Sequence, residues 1–195
     1  MLIDSIRLMG LFLLQGGMLF YLLSWRPLMQ QVHIGLDRQF HQRSARIMLV
    51  SGGVYLAAVL VQLWLAHHQS TQADPSLDIF AFLSGSGKGL VLINLMLVPV
   101  MLAGFHRCVA VKGYRQLVWP ALAGMFVLLI EATGSHAAAD PGVLPYLTNL
   151  IHLLTAIIWA GGLCYLALLP WQGLVDHADT CGPLVRQLDQ RFYNL

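Results

Sequence analysis

The chain has 195 residues, of which 57% are hydrophobic and only 10% charged, and its net charge is +2. Its mean hydropathy is +0.68. A water-soluble domain usually carries about 25% charged residues, so this composition excludes an ordinary soluble domain and indicates a membrane protein with several spans. The basic residues fall between apolar runs rather than along one stripe, which argues against a nucleic-acid surface. The three cysteines have no paired spacing, so neither a disulfide framework nor a zinc motif is expected.

Five apolar runs predict helices over 6–24, 47–66, 88–105, 118–134 and 147–169. Each is close to the ~20 residues that cross a bilayer, and none alternates as a barrel strand does. The expected fold is therefore an all-α polytopic membrane helix bundle, a single transmembrane domain over 1–195. The first run lacks a strongly basic start, and its Gly-Gly leads into further apolar sequence, so it reads as a span rather than a cleaved signal peptide. After it, the 25–46 connection holds Arg26, Arg38, Arg43 and Arg46. The second run leads into 67–87, which has Asp74 and Asp78 and no basic residue before Lys88. Within that connection "LDIFAFL" is amphipathic and reads as a surface stretch, and "SGSGKG" lacks the spacing of a phosphate loop. Arg107, Lys112 and Arg115 follow the third run, Asp140 is the only charge after the fourth, and Arg186 and Arg191 lie in the tail. By the positive-inside rule the N-terminus is outside and the C-terminus inside.

Depth follows from the ~1.5 Å rise per helical residue. Glu131 and His136 fall at the outer end of the fourth run, and His152 lies a little inside the outer end of the fifth. Asn94, Gln62, Gln15 and Met18 fall in the outer half or middle of the other three. Polar side chains inside a membrane are costly and face a bundle interior or a water path. Asn149, His152, Thr155, Trp159 and Gly162 step along one helical face. Imidazole, carboxylate and thioether groups are also metal ligands, with thioether favouring Cu(I). The candidate metal-binding residues are His152, His136, Glu131, the adjacent His67 and His68, and Met18. Each has a plainer reading as a loop histidine, a helix-packing hydrogen bond or core filling. Cys164, Cys108 and Cys181 fall on the inner side, where a thiol can receive Cu(I) or simply pack as a small apolar group.

At "SHAAADPG…NLIHLLTAIIWAGGL" the sequence resembles the CopD family of bacterial copper-resistance and copper-uptake membrane proteins. The matching residues are His136, Ala137 and Ala138, then Asn149, His152, Trp159, Gly161 and Gly162; "FLSGSGKGLVLIN" resembles the segment before the family's third helix. The likeness is best over 118–170. Ser135 separates Gly134 from His136, and Asn149 stands where the family often has aspartate. The resemblance implies copper movement across the bacterial inner membrane beside a periplasmic CopC-type copper-binding protein. It makes His152 and His136 the leading ligands, with Glu131 as an electrostatic helper. Family members commonly continue with further spans, and "LDQRFYNL" reads as the lead-in to one. The expectation is thus either a homo-oligomer or the N-terminal part of a longer family fold.

Two other readings stay open on the residues. Histidines on neighbouring helices can hold a haem: His41 with His106 on the inner side, or His67 or His68 with His136 or His152 on the outer side. That would make a b-type haem membrane cytochrome. A polar layer serving helix association alone would make a non-transporting assembly subunit. No enzyme signature is present; Ser135 and His136 are sequence neighbours rather than a pair facing each other from two helices.

Overall fold

The computed structural model describes residues 2–25, 34–84, 88–111, 118–133 and 143–167, with the single positions 186 and 190. It is an all-α helix bundle, and no strand occurs among the described residues. Helix α1 (Leu2–Phe20) continues into a π-helical turn, Tyr21–Trp25. The long α2 (Ile34–Ala73) is followed by a short α3 (Ile79–Ser84), α4 (Lys88–Val111) and α5 (Val118–Thr133). Helix α6 (Val143–Ala156) passes through a second π segment, Ile157–Gly161, into α7 (Gly162–Ala167).

Among the described residues, four helical stretches are long and apolar enough to cross a membrane: Leu2–Trp25, Gln42–Ala73, Gly89–Arg107 and Val143–Ala167. They coincide with four of the five predicted runs. The fifth, α5, has 16 residues and so extends about 24 Å, short of a ~30 Å hydrocarbon core. The chain is a multi-pass membrane protein.

Helix α2 is much longer than its apolar run, because it takes in residues 34–46, part of the stretch expected to be an arginine-rich connection. The physical reason is propensity: Leu, Arg, Gln and Ala in "LDRQFHQRSAR" are good helix formers, and no proline interrupts them. The same helix carries His67 and His68, expected in a connection, on its last turns. It ends where Asp74 accepts hydrogen bonds from the Ser76 amide and hydroxyl, at 3.0 and 2.6 Å. Those two donors hold the exposed Asp74 carboxyl below its ordinary 3.8. Asp78 then caps α3 by accepting from the Ala81 amide at 2.8 Å. The amphipathic stretch is real: Phe82 is buried while Ile79 and Phe80 are exposed.

Consecutive spans run antiparallel. One end gathers the start of α1, the later turns of α2, the start of α4, the end of α5 and the start of α6, as the hydrogen bonds and the ion pair below record. The opposite end is aromatic. Trp25 stacks near Phe40 with centroids 4.0 Å apart, Tyr21 meets Phe105 edge-on at 5.4 Å, and Phe20 lies 6.4 Å from Tyr165. Helix α1 occupies the middle of the bundle and buries Leu11, Leu14, Met18 and Phe20. It can do so because Gly16 lies backbone-to-backbone against Gly161, with Ile157 alongside; a Cβ on either glycine would collide with the other helix.

Candidate functional site

Four helices each send one polar side chain to the same place near one end of the bundle. Glu131, from the last turn of α5, is the centre. Its Oε2 pairs with Arg7 Nη2 of α1 at 3.3 Å. Its Oε1 accepts a short hydrogen bond from the Tyr55 hydroxyl of α2, 2.5 Å, and one from Asn94 Nδ2 of α4 at 3.3 Å. Asn94 Nδ2 also donates to the Tyr55 oxygen at 3.1 Å. The Glu131 side chain is 6% exposed and that of Arg7 24%. The carboxylate is therefore enclosed while its cationic partner reaches outward. Removing a charge from water costs several kcal/mol; here the cost is offset by an ion pair and by donors on both carboxylate oxygens. The cluster is still not saturated. Asn94 Oδ1 and Arg7 Nε are buried without a partner among the described residues.

Neighbouring polar contacts tie the same end together. Gln62 Nε2 donates to Asp4 at 2.7 Å, joining α2 to α1. Asn149 Nδ2 donates to the Ala132 carbonyl at 3.3 Å, and the Tyr146 hydroxyl to the Leu129 carbonyl at 3.3 Å, so α6 is pinned to α5. Between α1 and α2 a cleft of about 430 Å³ opens among Leu2, Ile3, Asp4, Gln62, Leu65, Ala66 and Gln69.

The predicted site residues separate into three groups. Glu131 and Asn94 come together as the depth argument expects, and Gln62 lies at the same end. Met18 and Gln15 are deeper and fully enclosed. His152 lies on the exposed face of α6 with Thr148, Thr155 and Trp159, whereas Asn149 is half-buried and Gly162 buried. One unbroken face through all these residues does not form. His67 and His68 point apart, as adjacent helical residues must: His67 packs edge-on to Phe82 at 5.0 Å, and His68 stacks on Trp64 at 5.8 Å. His67 Nε2 is buried without a partner among the described residues. His136, Cys181 and the centre of "SGSGKG" lie outside the described residues, as do the side chains of His41 and Cys108. Cys164 and His106 are exposed. Among the described residues no group of three His, Cys, Asp or Glu side chains converges as a metal site.

Arg7 and Tyr55 are the members that the sequence reading missed. A signal for Arg7 exists: helix alternation puts the start of the first span and the end of the fourth at one end, so a lone arginine and a lone glutamate there are candidates to pair. Tyr55 carries no such signal, because an aromatic residue inside an apolar run reads as core. Comparison with protein-family models, curated proteins and solved structures gives no match.

Proposed function

We propose that this protein handles copper at the bacterial inner membrane, taking the ion from the outer, periplasmic side through His136 and His152. The observation that carries the reading is the pinning of α6 to α5 by Asn149 and Tyr146. Those two helices flank the connection that bears His136, and His152 follows Asn149 by one helical turn. Of the CopD-like residues, Asn149, His152, Trp159, Gly161 and Gly162 lie in the span that begins with α6, and His136, Ala137 and Ala138 precede it in the sequence. In this reading Asn149 is a positioning residue, and Glu131 is committed to Arg7 and Tyr55 rather than to the metal. Thr148, His152 and Thr155 make a polar face on an apolar helix. Such a face calls for cover in a membrane, and a second copy of the chain or a further span supplies it. A CopC-type periplasmic protein is the expected copper donor or acceptor.

The test is metal analysis and an absorption spectrum of protein purified without added metal, repeated after copper exposure. The expected result is a colourless protein that binds copper. His152→Ala should weaken that binding by about tenfold or more, equivalent to about 1.4 kcal/mol, and His136→Ala should weaken it less. A Soret band would identify the haem protein instead. A parent protein that binds no copper, or a His152→Ala variant that binds it as the parent does, would overturn the reading.

A further inference from the structure

The bundle encloses a second polar group below the Arg7–Glu131 pair. Gln15 sits on the same helix as Arg7, about 12 Å further along its axis, and is only 1% exposed. Its Nε2 donates to the Met101 sulfur of α4 at 3.5 Å and to the Gly124 carbonyl of α5 at 3.2 Å. Gly124 has no side chain, and the space that one would fill is already taken. From the position of a Cβ at Gly124, Gln15 Oε1 is 2.5 Å away and Met18 Cε 2.7 Å. Met18 and Met101 are themselves 1% and 0% exposed. Helices α1 and α4 therefore bring two methionines and one amide together beside Gly124 of α5, in the middle of the bundle.

We infer that Gln15, Met18 and Met101 form a binding site for a soft monovalent metal ion, Cu(I), inside the membrane. This rests on the copper reading and adds to it a stopping place between the two faces. Thioether sulfur is a soft, neutral ligand that selects Cu(I) over hard cations. A neutral ligand set also avoids placing an anion permanently in the apolar interior. Core filling accounts for the two methionines but not for Gln15. A buried amide needs hydrogen-bond partners that an apolar residue of similar size does not, and this one is held by a sulfur and a backbone carbonyl. Towards the aromatic end, Ser24 of the same chain of residues buries a hydroxyl without a partner among the described residues. The α1 segment and its π turn thus present polar groups at three depths: Arg7, Gln15 and Ser24.

The test uses the full chain in detergent with Cys108, Cys164 and Cys181 changed to serine, which removes thiol competition. Ag(I) is the probe, a redox-inert stand-in for Cu(I). The eight methionines are labelled with 13C at their methyl groups, and the spectrum is followed as Ag(I) is added. Two resonances should shift in step, and they should be the two lost in Met18→Leu and Met101→Leu. The double variant, close to volume-conserving, should bind Ag(I) about tenfold more weakly or worse. Shifts confined to the exposed Met9, Met96 and Met125, or unchanged Ag(I) affinity in the double variant, would overturn the site. The spectrum of the cysteine-free parent decides the matter even if the double variant fails to fold. If Cu(II) binds the parent in a His152-dependent way while both buried methyls stay still, only this inner site fails. If neither Cu(II) nor Ag(I) binds, the copper reading fails with it.

Discussion

At the scale of single residues, the Arg7–Glu131 pair dominates. Its partners come from helices far apart in sequence, so it acts as a clamp as well as a charge. Arg7→Leu leaves an enclosed carboxylate with donors but no counter-ion. The expected loss is about 3 kcal/mol, the low end for breaking a buried pair, because Arg7 is partly exposed. Arg7→Leu combined with Glu131→Leu should recover most of that loss, since no unpaired charge remains. Denaturant unfolding in detergent would check both; a double variant no more stable than the single would show that the pair is not the source. Glu131 and Asn94 were legible in the sequence because a carboxylate or amide inside an apolar run stands out. Arg7 was harder to read, because an arginine near the end of a span looks like an ordinary flank until helix alternation sets it beside the end of the fourth span. The exposed position of His152 was not legible, since it follows from the rotation of α6, fixed by Tyr146 and Asn149 against α5, which an apolar run does not announce.

At the scale of elements, the contact between α1 and the π segment after α6 depends on two glycines. Gly16→Ala would set a Cβ against the backbone of Gly161 and the Ile157 carbonyl. Neither can retreat as a flexible side chain would, so the helices must separate. A loss of about 1–3 kcal/mol or more is expected from such overpacking. Gly53→Ala is the control, because nothing lies within 4 Å of its Cβ position; in mid-helix alanine should be neutral or stabilising by up to about 1 kcal/mol. Thermal unfolding of the two variants side by side checks the contrast, and equal melting temperatures would refute it. The helices themselves were readable from apolar runs. Their ends were less so: α2 carries a polar extension, and hydropathy marks where a span leaves the apolar layer rather than where the helix stops.

At the scale of the whole molecule, the polar and aromatic ends make the bundle asymmetric along its axis. Arg43 and Arg46, close to Phe40 on α2, and Arg107, close to Phe105 on α4, fall towards the aromatic end, and the acidic turn at Asp74 adjoins the polar one. In a cysteine-free background, Asp74→Cys should react with an impermeant thiol reagent added outside intact cells, whereas Arg107→Cys should react only after permeabilisation. The reverse pattern would refute the expected orientation and place the Arg7–Glu131 cluster at the inner face. The overall class, an all-α membrane bundle, was readable because it rests on composition summed over long stretches. The assembly of four side chains into one cluster was not, because it depends on the rotation of each helix, and runs apolar on every side leave that rotation unspecified.

The π segment at Ile157–Gly161 has a consequence for chain length. It holds one residue more than an α-helical path would, and one residue turns everything beyond it by about 100°. Before it, Asn149 faces inward and His152 outward; after it, Gly162 and Tyr165 face inward. The two halves of this span therefore run out of phase, each with its own inner side. A single-residue deletion here would leave composition and hydropathy almost untouched. Yet with Asn149 held against Ala132, it would swing Tyr165 off Gly17 and open the centre of the bundle. In this stretch it is the count of residues, more than their kind, that the fold holds constant.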